Sequence, residues 1–155
     1  MQQGFTLLEL IAVTSVIGLL SLIGVQSYSN NHDSQRLKLA TNQVYSALIS
    51  ARSLAYAKRK DLWLSLEQTQ TNIVFTLADN ADGLTPLSYL PVEGVSLQLT
   101  SESIHFDGYR GEVLGNGSIT LSSETGQQLK VIYHQISGRI RVCSPERGSL
   151  GYAAC

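Results

Sequence analysis

The chain has 155 residues, of which 43% are hydrophobic and 15% are charged. This length suffices for one compact domain with an appendage and argues against two domains with separate cores. The formal net charge of -1 hides a segregated distribution, since residues 34–60 carry +6, residues 61–129 carry -8 and residues 130–155 carry +3. A near-neutral protein of this kind can still present locally basic surface to an anionic partner.

The first element is an almost uninterrupted apolar run at residues 5–25, FTLLELIAVTSVIGLLSLIGV. As a helix it is about 31 Å long, enough to span the hydrocarbon core of a bilayer. A cleaved secretory signal is disfavoured, because the first three residues carry no side-chain charge and no Ala-x-Ala site follows the run. Glu9 is the one charge inside it. A carboxylate inside a bilayer costs free energy, so this position predicts a cationic partner for Glu9. The alternative is that Glu9 lies at headgroup level near the helix end.

The residues around Glu9 resemble the type III signal of type IV prepilins and pseudopilins: Gly4-Phe5-Thr6-Leu7-Leu8-Glu9-Leu10-Ile11. The resemblance implies that a prepilin peptidase cleaves after Gly4 and methylates the new N-terminal residue, Phe5. It also implies that Glu9 meets the N-terminal amine of a neighbouring pilin during assembly. The family usually carries Lys or Arg before the glycine, whereas this chain has Gln3.

Four segments follow from these features. Residues 1–4 are the predicted prepilin leader and residues 5–27 the transmembrane and assembly helix. Residues 28–60 are the amphipathic half of the same helix, and residues 61–155 form a β-rich globular head with a C-terminal disulfide loop. The resemblance implies a single-pass protein of the bacterial inner membrane, with its head in the periplasm, that later joins a pilus on the cell surface.

The amphipathic half is predicted from apolar residues that recur at intervals of three and four, which is the helical period: Leu37, Ala40, Val44, Leu48, Ala51 and Ala55. The basic residues of this segment, Arg52 among them, are expected largely outside the apolar face. No proline interrupts residues 5–60, so one continuous rod ending near Lys60 is expected.

The head is predicted to be an antiparallel sheet. Short alternating or β-branched runs are separated by Gly, Asn, Asp and Pro, at residues 62–66, 72–77, 95–100, 103–106, 118–122, 129–134 and 139–143. The fold class is therefore α+β and type IV pilin-like, with a long N-terminal helix packed against the sheet. Residues 104–108, 117–121 and 137–139 also resemble the GspH/FimT family of minor pilins and pseudopilins.

Nothing in the sequence predicts catalysis. The three histidines, His32, His105 and His134, have no Cys or carboxylate at metal-ligand spacing, and neither a phosphate-binding glycine loop nor a nucleophile elbow is present. We therefore expect no enzyme activity, no cofactor and no metal.

Two cysteines, Cys143 and Cys155, lie within the last 13 residues and flank a segment that contains Pro, Gly and Ser. This arrangement predicts a terminal disulfide loop in an oxidising compartment such as a periplasm, the alternative being two unpaired thiols.

The final two strands are predicted to form a basic hairpin. In a strand, Arg139 and Arg141 project from one face about 6.6 Å apart, close to the spacing of successive phosphates on a nucleic-acid strand. Lys130 and Arg147 extend this face to four cations, and Gly138 permits close backbone approach.

The residues Gly138-Arg139-Ile140-Arg141 resemble the Gly-Arg-x-Arg pattern of the FimT branch of the family, whose members bind DNA in natural transformation. This resemblance implies non-specific binding of double-stranded DNA, with other major and minor pilins, prepilin peptidase and the inner membrane as further partners. The alternative is a structural minor pilin or a type II secretion pseudopilin, GspH-like or FimU-like, whose arginines only solubilise an edge strand.

Overall fold

One long helix, α1 (Leu7–Lys58), precedes the head in a computed structural model of the protein. The structure describes residues 6–68, 72–80, 86–93, 95–146 and 148–155, with backbone alone at 22–31, 68, 72 and 86–93. Thr6 caps the helix, because its hydroxyl accepts a hydrogen bond from the Glu9 N–H at 3.3 Å. The helix ends where Arg59 takes a left-handed conformation with φ of 49°. The prediction of one continuous rod is confirmed. The 52 residues of α1 span about 78 Å.

The described part of the head contains two antiparallel sheets. The first has the strand order β3-β2-β1-β5-β6, and the second has the order β4-β7-β8-β9. The strands are β1 (Leu62–Gln68), β2 (Asn72–Ala78), β3 (Pro86–Glu93), β4 (Ser96–Leu99), β5 (Ser103–Phe106), β6 (Val113–Leu114), β7 (Gly117–Ser122), β8 (Gln128–Tyr133) and β9 (Ile140–Cys143). The predicted α+β class, with a helix packed on antiparallel strands, is confirmed.

The core lies between α1 and the inner faces of both sheets. The helix contributes the residues predicted from their spacing, all of them buried: Leu37, Ala40, Val44, Leu48, Ala51 and Ala55. The strands alternate buried with partly exposed residues, as in β8, where Leu129, Val131 and Tyr133 are buried. Because the apolar stripe of α1 covers both sheets, the helix fixes the position of the head at its C-terminal half.

Two strands of the structure were not predicted. Strand β3 contains Pro86 and Pro91, and prolines argue against a strand because they cannot donate to the ladder. Its position at the edge of the first sheet removes this objection, since the outer side of an edge strand needs no partner. Strand β6 has only two residues, which is too short for a recognisable alternation.

Candidate functional site

The β8–β9 hairpin lies at one edge of the second sheet and carries three of the predicted cations. The register pairs Lys130 with Cys143 and Ile132 with Arg141. Residues that face each other across an antiparallel pair share one side of the sheet. Lys130 and Arg141 are therefore diagonal neighbours on the outer face, opposite to the buried face of β8.

Arg139 joins the same face one position before β9. The His134 N–H donates to the Arg139 carbonyl oxygen at 3.1 Å and extends the ladder by one pair. Two residues along an extended chain, Arg139 and Arg141 lie about 6.6 Å apart on one side. The Arg139 side chain is exposed, whereas those of Lys130 and Arg141 are half-buried. The fourth predicted cation, Arg147, lies outside the described residues.

The turn of this hairpin is held by a side chain of α1. Gly138 adopts φ of 57°, a conformation that favours glycine, and its N–H donates to the Gln135 carbonyl at 3.3 Å. The Arg52 guanidinium donates through Nη1 to the Gly138 carbonyl at 2.9 Å. Gly138 is buried, and a Cβ there would lie at an ordinary contact distance of 3.8 Å from Arg52, so the glycine is favoured by its backbone conformation and not by a close approach.

Arg52 also reaches a second loop, since its Nε donates to the Gly111 carbonyl at 2.6 Å. Arg52 was expected largely outside the apolar face of the helix, and the structure adds that its head group bridges two loops of the head. The helical period could not reveal this, since the period marks apolar faces and carries no information on long polar side chains at their border.

The second loop, residues 107–112, is ordered by Asp107. Its carboxylate oxygen Oδ1 accepts the N–H groups of Tyr109 at 2.7 Å and Arg110 at 3.3 Å. The Gly111 N–H donates to the Asp107 carbonyl at 2.9 Å. Tyr109 and Arg110 are exposed at the tip of this loop. In the sequence, Asp107 followed by Gly108 and Gly111 indicates a turn. The sequence does not indicate that this turn contacts α1.

Asp61 ties the same loop to β1. Its Oδ1 accepts the Gly108 N–H at 2.9 Å, and this hydrogen bond lowers the pKa of the Asp61 carboxyl against the opposing effect of burial. Its other oxygen lies 3.3 Å from Nε2 of His105, whose ring stacks on Trp63 at 4.4 Å. Gly108 packs so tightly on the Lys60 backbone that a Cβ there would overlap it.

The C-terminal tail folds back on the hairpin. Cys143 and Cys155 form the predicted disulfide, with their Cα atoms 5.0 Å apart. Ser144 forms an isolated parallel bridge with Ala154. The Arg141 Nη2 donates to the Cys155 carbonyl at 3.3 Å, so the tail holds this arginine in place.

The predicted assembly residues lie at the start of α1. Glu9 is exposed in the first helical turn, where a carboxylate is favoured by the helix dipole. Gly4 and Phe5 lie outside the described residues. Large apolar side chains are exposed all round this end of the helix: Leu7, Leu8, Leu10, Ile11, Val13, Val16, Ile17, Leu19 and Leu20. Within the described side chains, no helix is long and apolar enough to cross a membrane.

In the described part of the chain, no three or more His, Cys, Asp or Glu side chains are grouped so that they could hold a metal ion. The disulfide occupies both cysteines.

Comparisons with known proteins agree with this architecture. Residues 40–148 match the family described as type II transport protein GspH. A fimbrial protein of Pseudomonas aeruginosa is 34% identical over 84 residues, which cover 53% of this chain and 54% of that protein. The match thus spans about half the length of this relative.

Two solved structures share the fold. The type IV minor pilin FimU of Pseudomonas aeruginosa superposes with a TM-score of 0.58 at 16% identity, covering 70% of this chain and 88% of that one. The minor pseudopilin EpsH from the type 2 secretion system of Vibrio cholerae superposes with a TM-score of 0.53 at 15% identity, covering 72% and 98%. Because the family match spans more than half of the chain, this protein belongs to the GspH family, and its fold is the one seen in the minor pilin FimU and the minor pseudopilin EpsH.

Proposed function

We propose that this protein is a minor type IV pilin that binds extracellular double-stranded DNA without sequence preference, for uptake in natural transformation. The DNA lies on the basic outer face of the β8–β9 hairpin. Retraction of the pilus then draws the bound DNA toward the cell.

The observation that carries the proposal is the register of the hairpin. It places Lys130, Arg139 and Arg141 on one face, and residues 128–143 contain no acid. Cations at this spacing suit a phosphate backbone, which supplies most of the affinity in non-specific binding. Gly138 forms the turn that presents Arg139, and Arg147 adds a fourth positive charge from the disulfide loop.

Processing and anchoring follow the prepilin resemblance. Prepilin peptidase cleaves after Gly4 and methylates Phe5, and the apolar run 5–25 anchors the subunit in the inner membrane before assembly. Glu9 then meets the N-terminal amine of a neighbouring pilin. Support comes from the exposed apolar side chains at this end of α1, which need a lipid or protein environment.

The test is a DNA titration of the full-length chain in detergent. Random-sequence duplex DNA is added to the parent and to Arg139→Gln/Arg141→Gln, which we expect to bind at least about tenfold more weakly, because two charge-assisted contacts are lost. Arg36→Gln/Lys38→Gln is the matched control. Both residues lie near Ser34, whose hydroxyl donates to Gln127 Oε1 at 2.8 Å. Gln127 precedes β8, at the end of the strand away from the hairpin turn. Equal affinities of the parent and the hairpin variant, with both heads folded, would refute DNA binding at this face.

The competing function is that of a structural subunit that primes filament assembly, as a minor pilin or a secretion pseudopilin. It is favoured by the fold shared with FimU and EpsH and by the exposed apolar start of α1. Deletion of the gene separates the two functions. A priming subunit predicts loss of pili or secretion, whereas a DNA-uptake pilin predicts that transformation fails while pili still assemble.

A further inference from the structure

A pocket of about 420 Å³ lies between α1 and the 107–112 loop, beside the hairpin turn. Its volume falls in the range of small-ligand pockets. Two arginines and two hydroxyl-bearing residues dominate its lining, and none of its described lining residues is acidic: Ile49, Arg52, Ser53, Tyr56, Arg110 and Gly111. The composition fits an anion with several acceptor oxygens.

Arg52 is held in place before any ligand arrives. Its Nε and Nη1 groups donate to the carbonyls of Gly111 and Gly138. A guanidinium has five N–H donors, so three remain. The two acceptors are uncharged, and within the described residues no ion pair involves Arg52 or Arg110. The positive charge is therefore fixed in position without being neutralised.

Arg110 provides the second cation from the opposite wall. Its backbone is fixed by the Asp107 carboxylate, while its side chain is exposed and free to close on a ligand. Gly111, at φ of 62°, lets the loop pass directly over the Tyr56 side chain, since a Cβ there would lie only 3.1 Å from the Tyr56 Cβ. Tyr56 remains 57% exposed and Tyr109 75% exposed, which leaves aromatic surface at the rim.

We propose that this pocket binds one phosphate group, and that the phosphate belongs to the backbone of the DNA that Arg139 contacts. The inference rests on the proposed function. Paired guanidinium groups match the oxygens of a phosphate, and the volume leaves room for the attached sugar.

The position of the pocket selects DNA over a lipid headgroup. Arg52 lies 27 positions beyond Val25, which is about 40 Å along the helix. A headgroup at the end of the apolar run cannot reach that far. Arg139, in contrast, follows the residue whose carbonyl Arg52 binds, so the pocket lies next to the hairpin turn that leads to Arg139.

The experiment compares Arg110→Gln with Arg139→Gln/Arg141→Gln in the full-length chain in detergent, with Arg36→Gln as the single-charge control. We expect Arg110→Gln to weaken duplex binding about three- to tenfold and to reduce the log-log salt slope by about 0.9, the value for one phosphate contact. Arg36→Gln should change neither quantity. Thermal unfolding verifies that each variant is folded.

Arginine-selective NMR of the side-chain Nε–H groups gives a second readout and separates the possible ligands. Duplex DNA should shift the Arg110 signal more than inorganic phosphate or phosphatidylglycerol in the micelle does. A larger shift with phosphatidylglycerol, or with phosphate alone, would overturn the assignment to DNA. If Arg110→Gln binds like the parent while the hairpin variant is weakened, the pocket is refuted and the proposed function stands. If neither variant is weakened, both fail.

Discussion

Arg52 and Gly138 are 86 positions apart, and the arginine Nη1 donates to the glycine carbonyl at 2.9 Å. The same guanidinium holds the Gly111 carbonyl at 2.6 Å. One helix side chain thus sets the distance between the loop that carries Arg110 and the turn that carries Arg139.

Arg52→Met should destabilise the head by about 2–3 kcal/mol, because two charge-assisted hydrogen bonds are lost while most of the aliphatic contact remains. Urea unfolding of the full-length chain measures the change. Arg36→Met, at an exposed position of the same helix, should change the free energy of unfolding by less than about 0.5 kcal/mol. Similar losses in both variants would show that the bridge contributes nothing of its own.

The helix and its buried face could be predicted because apolar residues that recur with the helical period lie on one face of a helix. Leu37, Val44 and Leu48 are buried as their period indicated. The positions of Arg139 and Arg141 on one face were predictable for the same reason, since strands alternate with a period of two. The disulfide followed from the presence of just two cysteines.

Contacts between distant segments could not be predicted in this way. The bridge from Arg52 to Gly111 and Gly138 depends on where two loops meet the helix. The spacing of residues within one segment carries no information on such contacts. Strand β3 was missed because Pro86 and Pro91 argue against a strand unless its edge position is known.

Asp61 should make the 107–112 loop sensitive to acid. Because the folded-state pKa is lowered from its ordinary value of 3.8, ionised Asp61 contributes stability above that value and loses it as the pH falls through the folded-state pKa. Asp61→Asn keeps an oxygen for the Gly108 N–H but cannot ionise. We expect the parent to be more stable than Asp61→Asn at pH 7 in urea unfolding, with the difference becoming smaller as the pH falls below 3.8, the ordinary pKa of this carboxyl.

Asp61→Ala removes the acceptor entirely. Its difference in stability from Asp61→Asn measures the contribution of the hydrogen bond to an uncharged acceptor. Asp61→Ala should be less stable than Asp61→Asn at both pH 7 and pH 3. A parent whose advantage over Asp61→Asn is the same at pH 7 and pH 3 would contradict the role of the ionised carboxylate.

Gly117 should not tolerate a side chain. It pairs with Tyr133, and a Cβ at this position would overlap the end of the tyrosine ring. We expect Gly117→Ala to cost about 1–3 kcal/mol of stability, the usual cost of overpacking. In the Tyr133→Leu background, where no ring reaches Gly117, the same substitution should cost much less. A cost independent of residue 133 in this double-mutant cycle would rule out the clash.

The disulfide should stabilise the folded head mainly by restricting the unfolded chain. Cys143 and Cys155 are separated by 12 positions, and a loop of this size contributes about 3 kcal/mol in the chain-entropy model. Cys143→Ser/Cys155→Ser should lose about that amount, and dithiothreitol should lower the melting temperature of the parent without affecting the variant. An equal response of both proteins to the reductant would contradict this prediction.

Salt dependence tests the number of phosphate contacts independently of affinity. Four contacts from Lys130, Arg139, Arg141 and Arg147 predict a log-log slope of about -3.6, and the pocket phosphate makes it more negative by about 0.9. Arg139→Gln/Arg141→Gln should reduce the magnitude by about 1.8, whereas Arg36→Gln/Lys38→Gln should leave it unchanged. Fluorescence anisotropy at several salt concentrations measures these slopes.

Duplexes of different sequence should give the same slope and affinity, because every contact is to the backbone. A strong preference for one sequence would require base contacts that this surface does not explain.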